Sequence, residues 1–355
     1  MSYKIVASSA FLSAMTMPII LSFAHKNKLY DSLDARKNHN GNIPRLGGVG
    51  VFVAFATMML GLILIQPGTV AKELASRASR LWPLALSGMI MHIIGLLDDI
   101  KAQSPRLKLA IQIVAAIMVV ASGYRFRGFG FRQDAMEGQL AWLSVILSLG
   151  WVVGVTNAVN FIDGIDGLAG SVSFIVAMVY GTLYYHFGDA SSSLICLCIA
   201  GVIVGFLLFN FPMPKAKIFM GDSGSLFLGF SLAVMPFLGQ VPGMESSKVS
   251  LGLIPSITML ALPVFDALRV MGLRIAEGKN PMSPDRQHVH HLFLDSGYST
   301  LRTDLILSLV TAGLAFVVLV AADMPQSLGF MLEFIAIGLL LIFFRYARYR
   351  ASCEY

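Results

Sequence analysis

Ser192-Ser-Leu-Ile-Cys-Leu-Cys-Ile-Ala-Gly-Val-Ile-Val-Gly-Phe-Leu-Leu-Phe-Asn-Phe211 is a run of twenty residues without a formal charge. As a helix it would rise about 30 Å, the thickness of a bilayer's hydrocarbon core. Similar runs lie on both sides of it, near residues 4–24, 46–66, 81–97, 107–123, 140–158, 168–187, 224–240, 250–271, 302–321 and 328–345. The run at 81–97 is among the shortest and carries His92, so its edges are soft. A length of 355 residues would by itself suggest two soluble domains. Composition overrules that: 56% of the residues are hydrophobic and 13% charged, against about 25% charged in a soluble domain. There is too little charge to coat a soluble surface, so lipid must cover much of it. These readings predict an all-α polytopic bundle of about eleven transmembrane helices, forming one domain over residues 1–355. The first run has no small-residue cleavage site and leads into a charged loop, so it reads as a retained helix rather than a signal peptide.

Loop charge sets the expected orientation. Placing the loops after runs one, three, five, seven and nine on the same side as the C-terminal tail gathers 18 of the 26 Lys and Arg residues there. That side is then cytoplasmic, with the N-terminus outside. The opposite side keeps eight, among them Arg125, Arg127 and Arg132. The net charge of +6 is spread over loops, which suits anionic headgroups or phosphorylated substrates. No dense basic stripe points to nucleic acid. Cys196 and Cys198 lie inside an apolar run and Cys353 in the tail, giving neither a disulfide framework nor zinc spacing.

Polar residues gather at the ends of the apolar runs, where desolvating them is expensive. Asp98-Asp99 closes the run at 81–97. Adjacent side chains on a helix point about 100° apart, so both cannot face one partner equally. The pair reads as boundary charge or as a metal and phosphate site. Asn157, Asn160, Asp163 and Asp166 follow the fifth run at a spacing of three. That puts them on one helical face, although Gly164 and Gly167 make a turn at least as natural. In Phe219-Met-Gly-Asp222-Ser-Gly-Ser225 a glycine-flanked acid opens an apolar run. It could be an N-cap, or free N–H groups there could take a phosphate with the carboxylate holding Mg²⁺. Before the tenth run comes Ser283-Pro-Asp-Arg286-Gln-His288-Val-His290-His291. Its rings and guanidinium suit an anion better than zinc, for which no second ligand cluster is visible. The first loop, with Asp34, Arg36, Lys37, His39 and then Pro44-Arg-Leu-Gly-Gly48, reads by itself as positive-inside anchoring. His92 and His186 stand alone and read as packing or interface residues.

In this order and at these spacings the five motifs resemble those of the polyprenyl-phosphate N-acetylhexosamine-1-phosphate transferase superfamily. They are Arg36-Lys-x-His39 through Gly48, Asp98-Asp99, Asn157 to Gly167, Phe219 to Ser225, and Ser283 to His291. His-x-His-His after Pro-Asp-Arg-Gln resembles the WecA-type branch, which handles N-acetylglucosamine 1-phosphate. The branch that transfers phospho-MurNAc-pentapeptide carries Pro-x-His-His-His instead. One departure concerns the third acid that often follows the aspartate pair: here Asp99 is followed by Ile-Lys-Ala-Gln-Ser.

The resemblance implies a Mg²⁺-dependent phosphotransferase, with Mn²⁺ as a substitute ion. It would act in the bacterial inner membrane on undecaprenyl phosphate and a UDP-N-acetylhexosamine, release UMP, and tolerate a homodimeric state. It implies catalytic roles for Asp98, Asp99 and Asp222, with Asp222 and Asp99 toward the metal. Asn160, Asp163, Asp166 and Phe219 fall to the nucleotide. Arg286, His288, His290, His291 and Asn157 fall to the sugar and phosphate. Direct attack by the lipid phosphate and double displacement through a phosphorylated aspartate both remain open. The rival donor is another UDP-N-acetylhexosamine, such as a 6-deoxy sugar. The rival class is a secondary transporter, which should carry acids near the midplane and internal repeats. Here the acids sit at run ends and no repeat is visible.

Overall fold

The computed structural model describes residues 2–30, 43–66, 68–131, 136, 138–213, 215–240, 249, 251–280 and 286–353. The first-loop motif at 34–39, Arg132 and residues 283–285 lie outside the described residues. The fold is all-helical: α1 (Ser2–Lys26), α2 (Gly47–Ile65), α3 (Thr69–Ile100), α4 (Pro105–Ala121), α5 (Ala141–Ile162), α6 (Leu168–His186), α7 (Ala190–Asn210), α8 (Gly221–Val234), α9 (Leu253–Met259), α10 (Ala261–Ala276), α11 (Val289–Asp295), α12 (Thr300–Ala321) and α13 (Gln326–Cys353). Among the described residues the only extended pairing is an isolated antiparallel bridge between Tyr30 and Pro44.

Each of the eleven apolar runs falls on helix. Among the described residues eight helices are long and apolar enough to cross a bilayer, and α9 with α10, bent by 82° at Leu260, makes a ninth if the pair is counted as one span. The expected eleven spans are therefore not all matched by length, since α4 has 17 residues and α8 only 14. α3 departs from its run in the other direction, beginning at Thr69. Its charged first turns are tolerated because Arg77 is buried against Asp189 (3.0 Å) and Glu73 (2.5 Å). The outer belt carries exposed Phe11, Ile19, Leu64, Val114, Ile146, Leu309 and Leu339. Large apolar side chains facing outward on six helices are what a multi-pass membrane protein presents to lipid.

α7 and α8 form the interior. In α7, Gly201 and Gly205 stand four apart, and a Cβ on either would come within 2.5 Å of the α1 backbone at Val6 or Ala10. Small residues at that spacing let two helices approach closely in lipid, where dispersion contacts must replace the hydrophobic effect. α8 is buried along its whole length except at Asp222. It is hemmed in by α2, α3 and α5, because Gly48, Gly95 and Gly229 leave no room for side chains at its contacts. One end of this interior, formed by the last turns of α3, α5 and α7 and the first turns of α2, α4 and α8, carries the polar motifs.

A carboxylate and amide cleft at one end of the bundle

The start of α8 is built from its neighbours. Gly221 takes φ +72°, and its missing Cβ makes room for the Asp99 carboxylate and the Arg45 carbonyl. Asp99 at the end of α3 accepts the backbone N–H of Asp222 (2.8 Å) and of Ser223 (2.9 Å), one on each oxygen. The N–H groups that the sequence offered to a phosphate are thus taken by Asp99. Asp222 is not the cap but lies in the capped first turn, where a carboxylate also suits the helix dipole.

Asp98 points elsewhere, as adjacent helical residues must. Its Oδ2 meets Lys108 Nζ at 3.0 Å and its Oδ1 accepts the Gln103 N–H at 2.7 Å. The same ammonium lies 2.9 Å from Asp222 Oδ2. Lys108 is held there because Ser104 caps α4 (Oγ to Leu107 N, 3.2 Å) with Pro105 as its first residue. Sequence reading counted Lys108 only as loop charge. Its spacing of ten from Asp98 showed no pattern, because a turn and a helix start intervene.

The second wall is the end of α5. Asn157 and Gln112 exchange amide hydrogen bonds (2.5 and 3.4 Å), so Asn157 is engaged with α4. Asn160 donates to Ser225 Oγ at 2.7 Å, joining α5 to α8. The helical and turn readings are both realised: Asn157 and Asn160 lie in the last helical turns, Asp163 caps α5, and Gly167 takes φ +87°. Burial and the negative charge of Asp222 push the Asp163 carboxyl well above the usual carboxylate range, with Arg45 opposing. Arg45, from the loop read as anchoring, therefore belongs to the electrostatics of the cleft. Asn210, buried at the end of α7, was also missed. It accepts from Gly167 N (2.9 Å) and donates to the Ile218 carbonyl (2.8 Å), tying the Asp163–Asp166 loop to the 217–220 segment. Phe219 contributes backbone: its carbonyl accepts from Gly47 N (2.9 Å) and its N–H donates to the Pro44 carbonyl (2.8 Å).

The histidine motif closes the cleft from α10 and α11. His288 Nδ1 pairs with buried Asp266 at 2.8 Å, and its ring is parallel to that of His290 with centroids 5.9 Å apart. His290 is buried against Gly164, where a Cβ would come 2.2 Å from its Nε2. Neither of its ring nitrogens has a hydrogen-bond partner among the described residues. Burial, helped by the charge of His291, lowers the His290 pKa to about 3. Its ring is thus neutral, suited to hydrogen bonding through a ring N–H rather than to charge pairing. His291 lies tilted against it, 4.3 Å between centroids. Arg286 stands apart, half-exposed and paired with Asp295 at 2.8 Å.

Among the described residues no three His, Cys, Asp or Glu side chains form a ready-made metal cage. The donor set nonetheless fits Mg²⁺, which typically takes one or two carboxylates and completes its shell with water and substrate phosphate. Asp98 and Asp222 already converge on one cation, the Lys108 ammonium. Asp99 fits a metal less well, since each oxygen already serves a helix N–H.

Comparison with known proteins adds two findings. The model for glycosyl transferase family 4 matches residues 81–240, which hold the cleft except for its first-loop and histidine parts. A protein of Bacillus subtilis (strain 168) described as a probable undecaprenyl-phosphate N-acetylglucosaminyl 1-phosphate transferase is 31% identical over 92% of this chain and 85% of its own length. Undecaprenyl-phosphate alpha-N-acetylglucosaminyl 1-phosphate transferases of Yersinia pestis and Escherichia coli (strain K12) are each 29% identical. They cover 96% and 91% of this chain, and 88% and 84% of their own lengths.

Proposed function

The chain belongs to glycosyl transferase family 4, and on that premise we propose that it transfers N-acetylglucosamine 1-phosphate from UDP-N-acetylglucosamine to undecaprenyl phosphate. A phosphate oxygen of the lipid bonds to the β-phosphorus of the donor as the bond to UMP breaks. UMP leaves, and undecaprenyl-diphospho-N-acetylglucosamine stays in the membrane. Such a product would open the membrane stage of O-antigen, enterobacterial common antigen or another cell-surface glycan. The observation that carries this reading is the meeting of Asp98, Asp222 and Lys108 from three helices at one end of an apolar bundle. By the loop-charge argument that end faces the cytoplasm of the bacterial inner membrane, where nucleotide sugars are available. Counting α4 and α8 as short spans within the bundle keeps eleven crossings and places the C-terminus on that side.

Both reactants are anions, so neutralising charge is the central task. Two unit charges about 4 Å apart repel by about 4 kcal/mol at an effective dielectric near 20. Magnesium held by Asp222 and Asp98 would neutralise the diphosphate when bound, and phosphoryl transfer depends chiefly on such positioning and charge stabilisation. Lys108, touching both carboxylates, is placed to share the charge of the incoming lipid phosphate. Asp99 holds the first turn of α8 so that Asp222 faces Lys108. Asn160 and Asp163 line the nucleotide side, with Asp166 in the same turn. His288, His290 and His291 face the sugar. Direct attack by the lipid phosphate is the step proposed, and UMP release without lipid would point instead to a phosphorylated aspartate.

The test is UMP release by purified protein with undecaprenyl phosphate, Mg²⁺ and UDP-N-acetylglucosamine. No release, or release that does not need the lipid, would refute the reading. Release only with a 6-deoxy or other UDP-N-acetylhexosamine would keep the reaction and change the donor.

A further inference from the structure

Asp266 lies within the apolar run at 250–271, and nothing in its sequence neighbourhood marks it. In the structure it is wholly buried on α10 and accepts three donors. Its Oδ2 faces His288 Nδ1 at 2.8 Å, while its Oδ1 accepts the Val289 N–H (3.0 Å) and Arg269 Nη2 (2.8 Å). The same Arg269 nitrogen also donates to the Gln287 carbonyl at 2.5 Å. Backbone on both sides of His288 is thereby fixed, Val289 by the carboxylate itself and Gln287 by the Arg269 that the carboxylate holds. The ring is further confined by Phe161, 5.6 Å between centroids, and by parallel His290. Its other nitrogen, Nε2, is directed away from Asp266 and has no hydrogen-bond partner among the described residues.

We infer that Asp266 is a positioning residue for donor binding: it holds His288 with the proton on Nδ1 and presents Nε2 to the sugar-phosphate side of the cleft. This rests on the proposed transfer reaction. A carboxylate can only accept, so the ring nitrogen facing it must carry the hydrogen. Asn in its place would still satisfy Val289 and Arg269 through its oxygen. Its NH₂ would then meet Nδ1, which would have to become an acceptor, and the hydrogen would move to Nε2. The reversal would change what the donor meets without removing any atom it touches.

The experiment is a double-mutant cycle read as kcat/KM for UDP-N-acetylglucosamine, with KM for undecaprenyl phosphate as the control. At metal sites, loss of the group that orients a ligand histidine typically costs roughly ten- to a hundredfold, and that range is taken as the scale here. Asp266→Asn should lower donor kcat/KM by about that factor, with lipid KM within about twofold of wild type. In a His288→Ala background the same substitution should cost no more than about twofold further, because the ring through which Asp266 acts is gone. An equal loss in both backgrounds would overturn the inference and leave Asp266 as scaffold only. If thermal melting shows that Asp266→Asn does not fold, Asp266→Glu takes its place in the cycle and is judged by the same non-additivity. A wild type that is inactive with this donor and lipid sinks the proposed reaction and this inference together. An active wild type with additive losses sinks the inference alone.

Discussion

Replacing Asp99 with Asn separates two roles that the sequence left joined, ligand to the metal and clamp on α8. In the structure each Asp99 oxygen accepts one N–H of the first turn of α8, at 2.8 and 2.9 Å. Hydrogen bonds to a charged group contribute about 1.5–3 kcal/mol each. Asn keeps one acceptor and turns an NH₂ toward the other N–H, so about one such bond is lost and a donor is left facing a donor. If that energy is expressed in how well Asp222 is aimed, the rate falls by roughly ten- to a hundredfold, since 1.4 kcal/mol is about a factor of ten. The Mg²⁺ concentration giving half-maximal rate should stay within about twofold of wild type, because Asp98 and Asp222 remain. The assay is initial UMP release across a Mg²⁺ titration, run beside Asp98→Asn, with thermal melting in detergent to follow the clamp. Asp98→Asn should move the Mg²⁺ midpoint upward. If Asp99→Asn moves it by tenfold or more while the melting temperature stays put, Asp99 is a ligand and the clamp argument is wrong.

Asp222→Asn should abolish Mg²⁺-dependent transfer while the protein still inserts and melts cooperatively; near-normal UMP release would remove its metal role. Lys108→Gln leaves Asp98 and Asp222 facing each other without their shared cation, so activity should fall at least a hundredfold and the lipid KM should rise; an unchanged lipid KM would argue against its contact with the acceptor. Gly164→Ala drives a Cβ into His290 and should raise the KM for the donor more than for the lipid, as steady-state kinetics would show. Asp163 has a carboxyl pKa raised by burial. Its ionised form therefore costs stability, a cost absent below the unfolded pKa of about 4, growing as pH rises and complete above the folded value. Asp163→Asn should raise the melting temperature at pH 8 and leave it nearly unchanged near pH 4, while activity is lost; equal shifts at both values would remove the electrostatic explanation.

The class of fold could be read from composition because lipid imposes one-sided rules: long uncharged runs must be helical, and every run found is. Span number was less legible. A helix buried in protein, such as α8, is as apolar as one facing lipid, so hydropathy does not separate a 14-residue core helix from a crossing. The acids could be singled out for the same energetic reason, since a charge at the end of such a run needs a purpose. What each acid does was not legible, because it depends on which atoms oppose it. Asp98 and Asp99 are neighbours in sequence yet serve different elements, and only their directions divide a cation partner from a helix cap.

The residues that sequence reading missed share a physical signature. Asn210 and Asp266 sit among apolar neighbours in the chain and Lys108 among loop charges, and each has a partner eight or more residues away. A motif is visible when its members are close in sequence; a second layer that orients the motif need not be. In this bundle that layer does the aligning: Asn210 ties the Asp163–Asp166 turn to the 217–220 segment, and Asp266 ties the histidine segment to α10. An isolated polar residue inside a spanning run therefore carries more information than its solitude suggests. In a medium that cannot solvate it, its partner must come from the protein, and finding that partner locates the next shell of the site.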